Sequence, residues 1–162
     1  MDLLTDDINK AKGEERPVNS LQAIGAAFKK ERERINKEII NDIMCMRDVK
    51  KMSEVQVSFL SMRQRLLEDL HILMDKMIEV RKQYKLNRGQ AYNHVITDMK
   101  MRVKTGADKE ALIDGSIIVA EEKAKLEILD NQILFYNESM KTVDQVLYGI
   151  KTRVEIEKMI GV

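Results

Sequence analysis

The 162 residues carry 34% charged and 4% aromatic side chains, no Trp, a single Pro and a net charge of +1. That length suits one domain with a tail, and the composition suits long helices or a coiled coil while leaving too few turn residues for a β-sandwich or barrel. A lone Cys45 excludes an internal disulfide and points to a reducing compartment, and no apolar run is long enough to span a membrane.

Residues 1–19 are polar, contain Gly13, Pro17 and Asn19, and read as a mobile arm with little to bury. They lack the apolar stretch of a signal peptide. A charged amphipathic helix is expected over 20–52, opening at Ser20 as N-cap. Its apolar stripe is thin: Leu21, Ile24, Phe28, Ile35, Ile39 and Ile43, with a gap between Phe28 and Ile35. Such a helix depends on a partner surface for stability.

The second helix opens with Ser53 and Gln56, the spacing of a capping box. Phe59, Arg63, Leu66, Leu70, Leu73, Met77, Val80 and Tyr84 step alternately by four and three. That is an a/d heptad register with Arg63 as the exception. Leu60, Leu67 and Met74 form a second stripe beside it, wider than a two-stranded seam needs, as in a helix buried from two sides.

Asn87, Arg88 and Gly89 look like a helix end, with a base in the last turn and Gly as C-cap. From Val95 to Lys104 apolar and charged residues alternate, which favours a short extended strand over the helix that Tyr92, Ile96, Met99 and Val103 would also allow. Thr105-Gly106 and Asp114-Gly115 read as turns.

The last helix is expected from near Ser116 to about Ile160. Leu126, Leu129, Ile133, Tyr136, Met140, Val143, Leu147, Ile150 and Val154 keep a heptad spacing. At 1.5 Å per residue it would span roughly 65 Å, too long for one small domain to cover, so packing between chains is the natural inference. The fold class is all-α: long heptad helices joined by a basic irregular segment with one short strand, in an oligomeric assembly.

Catalytic constellations are missing from the sequence. His71 is a surface or interface residue of the second helix and His94 lies in the basic segment, and no His and Cys spacing resembles a metal site. Cys45 reads as a small buried hydrophobe. No Gly-rich phosphate loop or nucleophile elbow is present, and the carboxylates lie beside Lys and Arg as on a solvated surface. The chain reads as a non-enzyme without cofactor or metal.

Charge is more informative. Between residues 81 and 104, Arg81, Lys82, Lys85, Arg88, Lys100, Arg102 and Lys104 face one acid, Asp98. The segment is +6 and the rest of the chain −5. Tyr84 and Tyr92 lie among the bases. Cations with aromatics, and no recognition motif, fit single-stranded nucleic acid with weak sequence preference. In this scheme Arg81, Lys82, Lys85 and Arg88 contact phosphates, with Lys100, Arg102 and Lys104 as a second edge. Tyr84 stacks on a base or, as the end of the heptad stripe, packs in the core. The alternatives are a basic surface loop, or one that pairs with acids of a neighbouring subunit.

The order of parts resembles the UvsY family, the recombination mediators of T-even-like phages. The resemblance rests on the helix end Arg-Lys-Gln-Tyr-Lys-Leu-Asn-Arg-Gly at 81–89, followed by an irregular segment and a long helix. It also rests on the closing run Met140 to Glu155, with Tyr148, Ile150-Lys151 and Val154-Glu155, and on Lys158-Met159-Ile160-Gly161. It covers residues 53–162, the preceding residues being an extension. The chain departs from the family at Glu79, where a Lys is usual, and in a reduced acidic turn of Asp108, Glu110 and Asp114. The resemblance implies a ring-like homo-oligomer, a hexamer or similar, that binds single-stranded DNA. It also implies a role in the host cytoplasm, helping a RecA-like recombinase displace the single-strand binding protein. The rival expectation is a coiled-coil scaffold that does not bind DNA.

Overall fold

The computed structural model describes residues 17–46, 51–98 and 105–160, and every element it contains is helical. The order is α1 (Pro17–Cys45), α2 (Met52–Asn93), a π-helical turn (His94–Asp98), α3 (Gly106–Asp114) and α4 (Ile117–Ile160). The all-α class expected from composition holds. The chain divides into two compact units: Met1–Ala27 with Met74–Asn131, and Phe28–Leu73 with Gln132–Val162.

The second of these units is built from three helical segments. Ser58 of α2 donates to Asp42 of α1 at 2.6 Å, and Arg65 to Glu38 at 2.8 Å. The partner numbers fall on one helix as they rise on the other, so α2 runs antiparallel to α1. Arg153 of α4 donates to the Met46 carbonyl at 3.0 Å, and Asn36, Ile39 and Ile40 share a groove with Phe135, Ser139 and Thr142. Here the numbers rise together, so α1 and α4 are parallel.

The core of that unit takes Phe28, Ile35 and Ile39 from α1 and Tyr136, Val143 and Ile150 from α4. The α4 residues lie seven apart, which keeps one stripe inward as a heptad helix requires. From α2 come Met52, Val55, Phe59, Met62, Leu66, Leu70 and Leu73. Met62, not Arg63, therefore fills the heptad position that the sequence register left to Arg63. The consecutive four-residue steps Met62–Leu66–Leu70 interrupt the alternation, a stutter that locally unwinds a strict heptad seam.

A polar layer crosses this core at the gap in the α1 stripe. Glu31 accepts from Arg34 at 2.9 Å, and that guanidinium holds the Glu31 carboxyl below its ordinary pKa despite partial burial. Burial and the Glu31 charge push the Asp69 carboxyl up. Burial pushes the Tyr136 phenol up to about 12. Gln132 is fully buried. It lies near enough to the Tyr136 hydroxyl to offset part of that rise, yet neither its amide nitrogen nor its oxygen reaches hydrogen-bonding geometry with a protein atom.

In the first unit, Met77, Val95, Ile113, Val119 and Leu129 form the core, with Asn87 and Glu122 buried among them. Asn87 accepts from Gln83 at 2.8 Å and Glu122 from Lys125 at 2.7 Å, which satisfies both side chains. Thr105 caps α3 in an extended conformation, accepting from the Asp108 amide at 3.2 Å and donating to its carboxylate at 2.8 Å. The Gly115 amide closes the same helix on Ala111 at 2.9 Å, and a Cβ there would meet that carbonyl at 3.0 Å. The Ser116 carbonyl accepts from Ala120 at 2.9 Å and so starts α4.

Several local expectations are corrected. α1 starts at Pro17 rather than Ser20, because Pro is preset for the first helical turn, where its missing N–H is no loss. α2 does not stop at Gly89 but continues to Asn93. A helical Gly costs only about 1 kcal/mol, and Asn87 and Val95 are buried on either side of it. The expected strand is replaced over His94–Asp98 by the π-helical turn. The remainder of that strand, residues 99–104, lies outside the described residues. The expected turn at Asp114-Gly115 is present between α3 and α4, with Gly115 as the C-cap of α3, and Thr105 before Gly106 is its N-cap. Cys45 is exposed rather than buried, as is Ile43. In the second α2 stripe Leu67 is half-buried while Leu60 and Met74 are exposed, so the single chain does not cover it.

Candidate nucleic-acid interface

The basic residues predicted from the sequence stand on the last turns of α2, in the first unit. Arg81, Lys82 and Lys85 are exposed and Arg88 is half-buried. Their environments separate the arginines from the lysines. Arg88 donates from Nη2 to Glu110 at 2.8 Å, and its Nε lies 3.5 Å from Asp114. Arg81 lies 4.0 Å from Asp130 of α4. Lys82 and Lys85 make no ion pair among the described residues. The two arginines thus meet carboxylates of their own unit, and the two lysines present bare charge to solvent.

Tyr84 is half-buried and continues the inward line of Met77, Val80 and Asn87 at steps of three and four. This position suits core packing better than stacking. Tyr92, by contrast, is 50% exposed. Lys82, Lys85, Gly89 and Tyr92 follow one another at steps of three, four and three, which places them on one face of a helix. Gly89 lies in the middle of that face with no neighbouring heavy atom within 4 Å of where its Cβ would be, so the backbone there is open to close approach. Leu86 is exposed beside it. The face therefore offers two cations, an aromatic ring and uncovered backbone.

Lys100, Arg102 and Lys104, the expected second edge, lie outside the described residues. The acids that engage the arginines, Glu110, Asp114 and Asp130, had no signal in local spacing because they come from other helices. Beside the π-helical turn, Ala91, His94, Val95, Leu112, Gly115 and Ser116 line an open, largely apolar cleft of about 240 Å³. Among the described residues, no group of three or more His, Cys, Asp or Glu could hold a metal ion. Nor is any described helix long and apolar enough to cross a membrane.

No protein-family model, curated protein or solved structure matches the chain. The interface is accordingly read from its own residues.

Proposed function

We propose that the chain is a non-enzymatic binding protein that holds single-stranded DNA on the α2 face of Lys82, Lys85 and Tyr92. The observation that carries this is the coincidence, on one helical face, of an exposed ring and two lysines that make no ion pair among the described residues. Lysines attract phosphate without reading sequence. Stacking a base on an aromatic ring is worth about 1–3 kcal/mol and tolerates any base. Lys100, Arg102 and Lys104 extend the same charge along the chain.

Contacts this few bind weakly in one copy, so the proposal includes a homo-oligomer, a ring of about six subunits in the family the chain resembles. Assembly multiplies weak contacts through effective concentration. The exposed stripe of Val57, Leu60, Met74 and Ile78 on α2 supports it, because heptad-spaced apolar residues are the usual seam of a helix partner. In that setting the chain would be a recombination mediator in the cytoplasm of an infected bacterium. It would bring a RecA-like recombinase onto DNA in place of the single-strand binding protein.

The pairing of Arg81 and Arg88 with acids of their own unit favours a second reading, a coiled-coil scaffold whose basic segment is structural. Alanine variants separate the two. Lys82→Ala with Lys85→Ala, and Tyr92→Ala, should each weaken the fluorescence anisotropy response of a labelled single-stranded oligonucleotide while leaving the oligomeric mass native. If these variants bind as the native chain does, the face is not the interface and the scaffold is the better account.

A further inference from the structure

Two carboxylates converge on one guanidinium at the edge of the proposed interface. Glu110 and Asp114 lie four residues apart on α3, on one face of that helix, and both reach Arg88. An Arg fork is shaped to take paired oxygens, and phosphate supplies the same pairing as carboxylate. Arg88 is thus suited to grip a strand, and among the described bases of the segment it is the one engaged by two carboxylates.

We infer that Glu110 and Asp114 act as an internal stand-in for phosphate, masking Arg88 until a nucleic-acid strand displaces α3. The inference rests on the single-strand reading given above and adds regulation to that site. Three features make the contact displaceable. All three side chains remain between 39% and 66% exposed, so the ion pairs are screened by solvent and individually weak. α3 has nine residues and buries only Ile113, and a helix that short does not hold by itself in water. The adjoining segment 94–98 is a π-helical turn, a rare helical form frequent at functional sites. Lys85 and Lys82, about one and two turns earlier on α2, carry no such mask among the described residues and would hold the strand first.

Removing the mask should turn Arg88 into an additional phosphate contact. The test uses the full chain with Glu110→Gln and Asp114→Asn, each alone and together, in the native and in an Arg88→Gln background. A labelled single-stranded oligonucleotide is titrated at several salt concentrations, and circular dichroism checks that every variant retains native helicity. The single Glu110→Gln variant serves if the pair of substitutions unsettles α3.

The expected result is binding about three- to tenfold tighter for the unmasked chain, with a salt slope steeper by about 0.7. Arg88→Gln should then cost more affinity in the unmasked chain than in the native one, which a general gain of positive charge would not produce. Equal costs in both backgrounds, or no tightening, would overturn the mask. The pair would then be a fastening for α3, and the lysine face would stand or fall by its own variants. No binding by native or unmasked chain would remove the single-strand reading and the mask together.

Discussion

Arg63 of α2 donates to Asp144 of α4 at 2.7 Å, and the two side chains remain 43% and 50% exposed. One residue earlier, Met62 is fully buried in the core of the same unit. Adjacent residues therefore divide the work: the ion pair marks the rim between α2 and α4, and the thioether fills the interior.

The energies follow from that division. An exposed ion pair contributes about 0–1 kcal/mol, whereas truncating a buried Met to Ala costs about 2–5 kcal/mol in lost transfer energy and cavity. Met62→Ala should lower unfolding free energy by about 2–4 kcal/mol, and Arg63→Ala by less than about 1 kcal/mol. Urea unfolding at constant m-value measures both. A larger loss from Arg63→Ala would place the core register on Arg63 after all.

Gln132 offers a prediction of the opposite sign. Its amide is buried without a protein hydrogen-bond partner, so its desolvation is uncompensated. Gln132→Leu keeps the approximate volume and removes that cost, and should raise stability by about 1–3 kcal/mol. A loss of stability would mean that the amide is satisfied in solution. A polar core position can also select helix register at the expense of stability, so oligomeric mass should be read alongside the urea midpoint.

Tyr136 sets an alkaline limit. Its phenol is pushed up to about 12 by burial, against an ordinary value of 10.0. The folded state thus keeps the proton that the unfolded chain gives up. The stability this contributes is present below pH 10 and is lost as pH rises through about 12. Absorbance of ionised tyrosine should show a late titration from Tyr136, coincident with loss of helicity. Tyr136→Phe should remove the late step.

The heptad of α4 was legible because its period is strict: Leu129, Tyr136, Val143 and Ile150 lie seven apart and all are buried. The helical class followed from composition for similar reasons. The end of α2 was not legible, because Gly89 signals a stop only when the chain must turn there, and burial around Asn87 and Val95 keeps it helical. Alternation from Val95 suggested a strand, but a period-two pattern holds only where a sheet partner exists, and the described residues form helices alone. Of the site, the cations and rings were visible as an island of charge. The carboxylates that split arginines from lysines were not, since Glu110, Asp114 and Asp130 become neighbours only through packing.

Whether the lysine face binds single-stranded nucleic acid is decided by the affinity of the native chain for a labelled single-stranded oligonucleotide as a function of salt. With Lys82 and Lys85 each neutralising a phosphate, binding at low salt should weaken on a log–log plot with a slope of about −1.4 or steeper. Absence of binding at low salt, or binding indifferent to salt, would rule out the lysine face as an interface and leave a helical scaffold as the function.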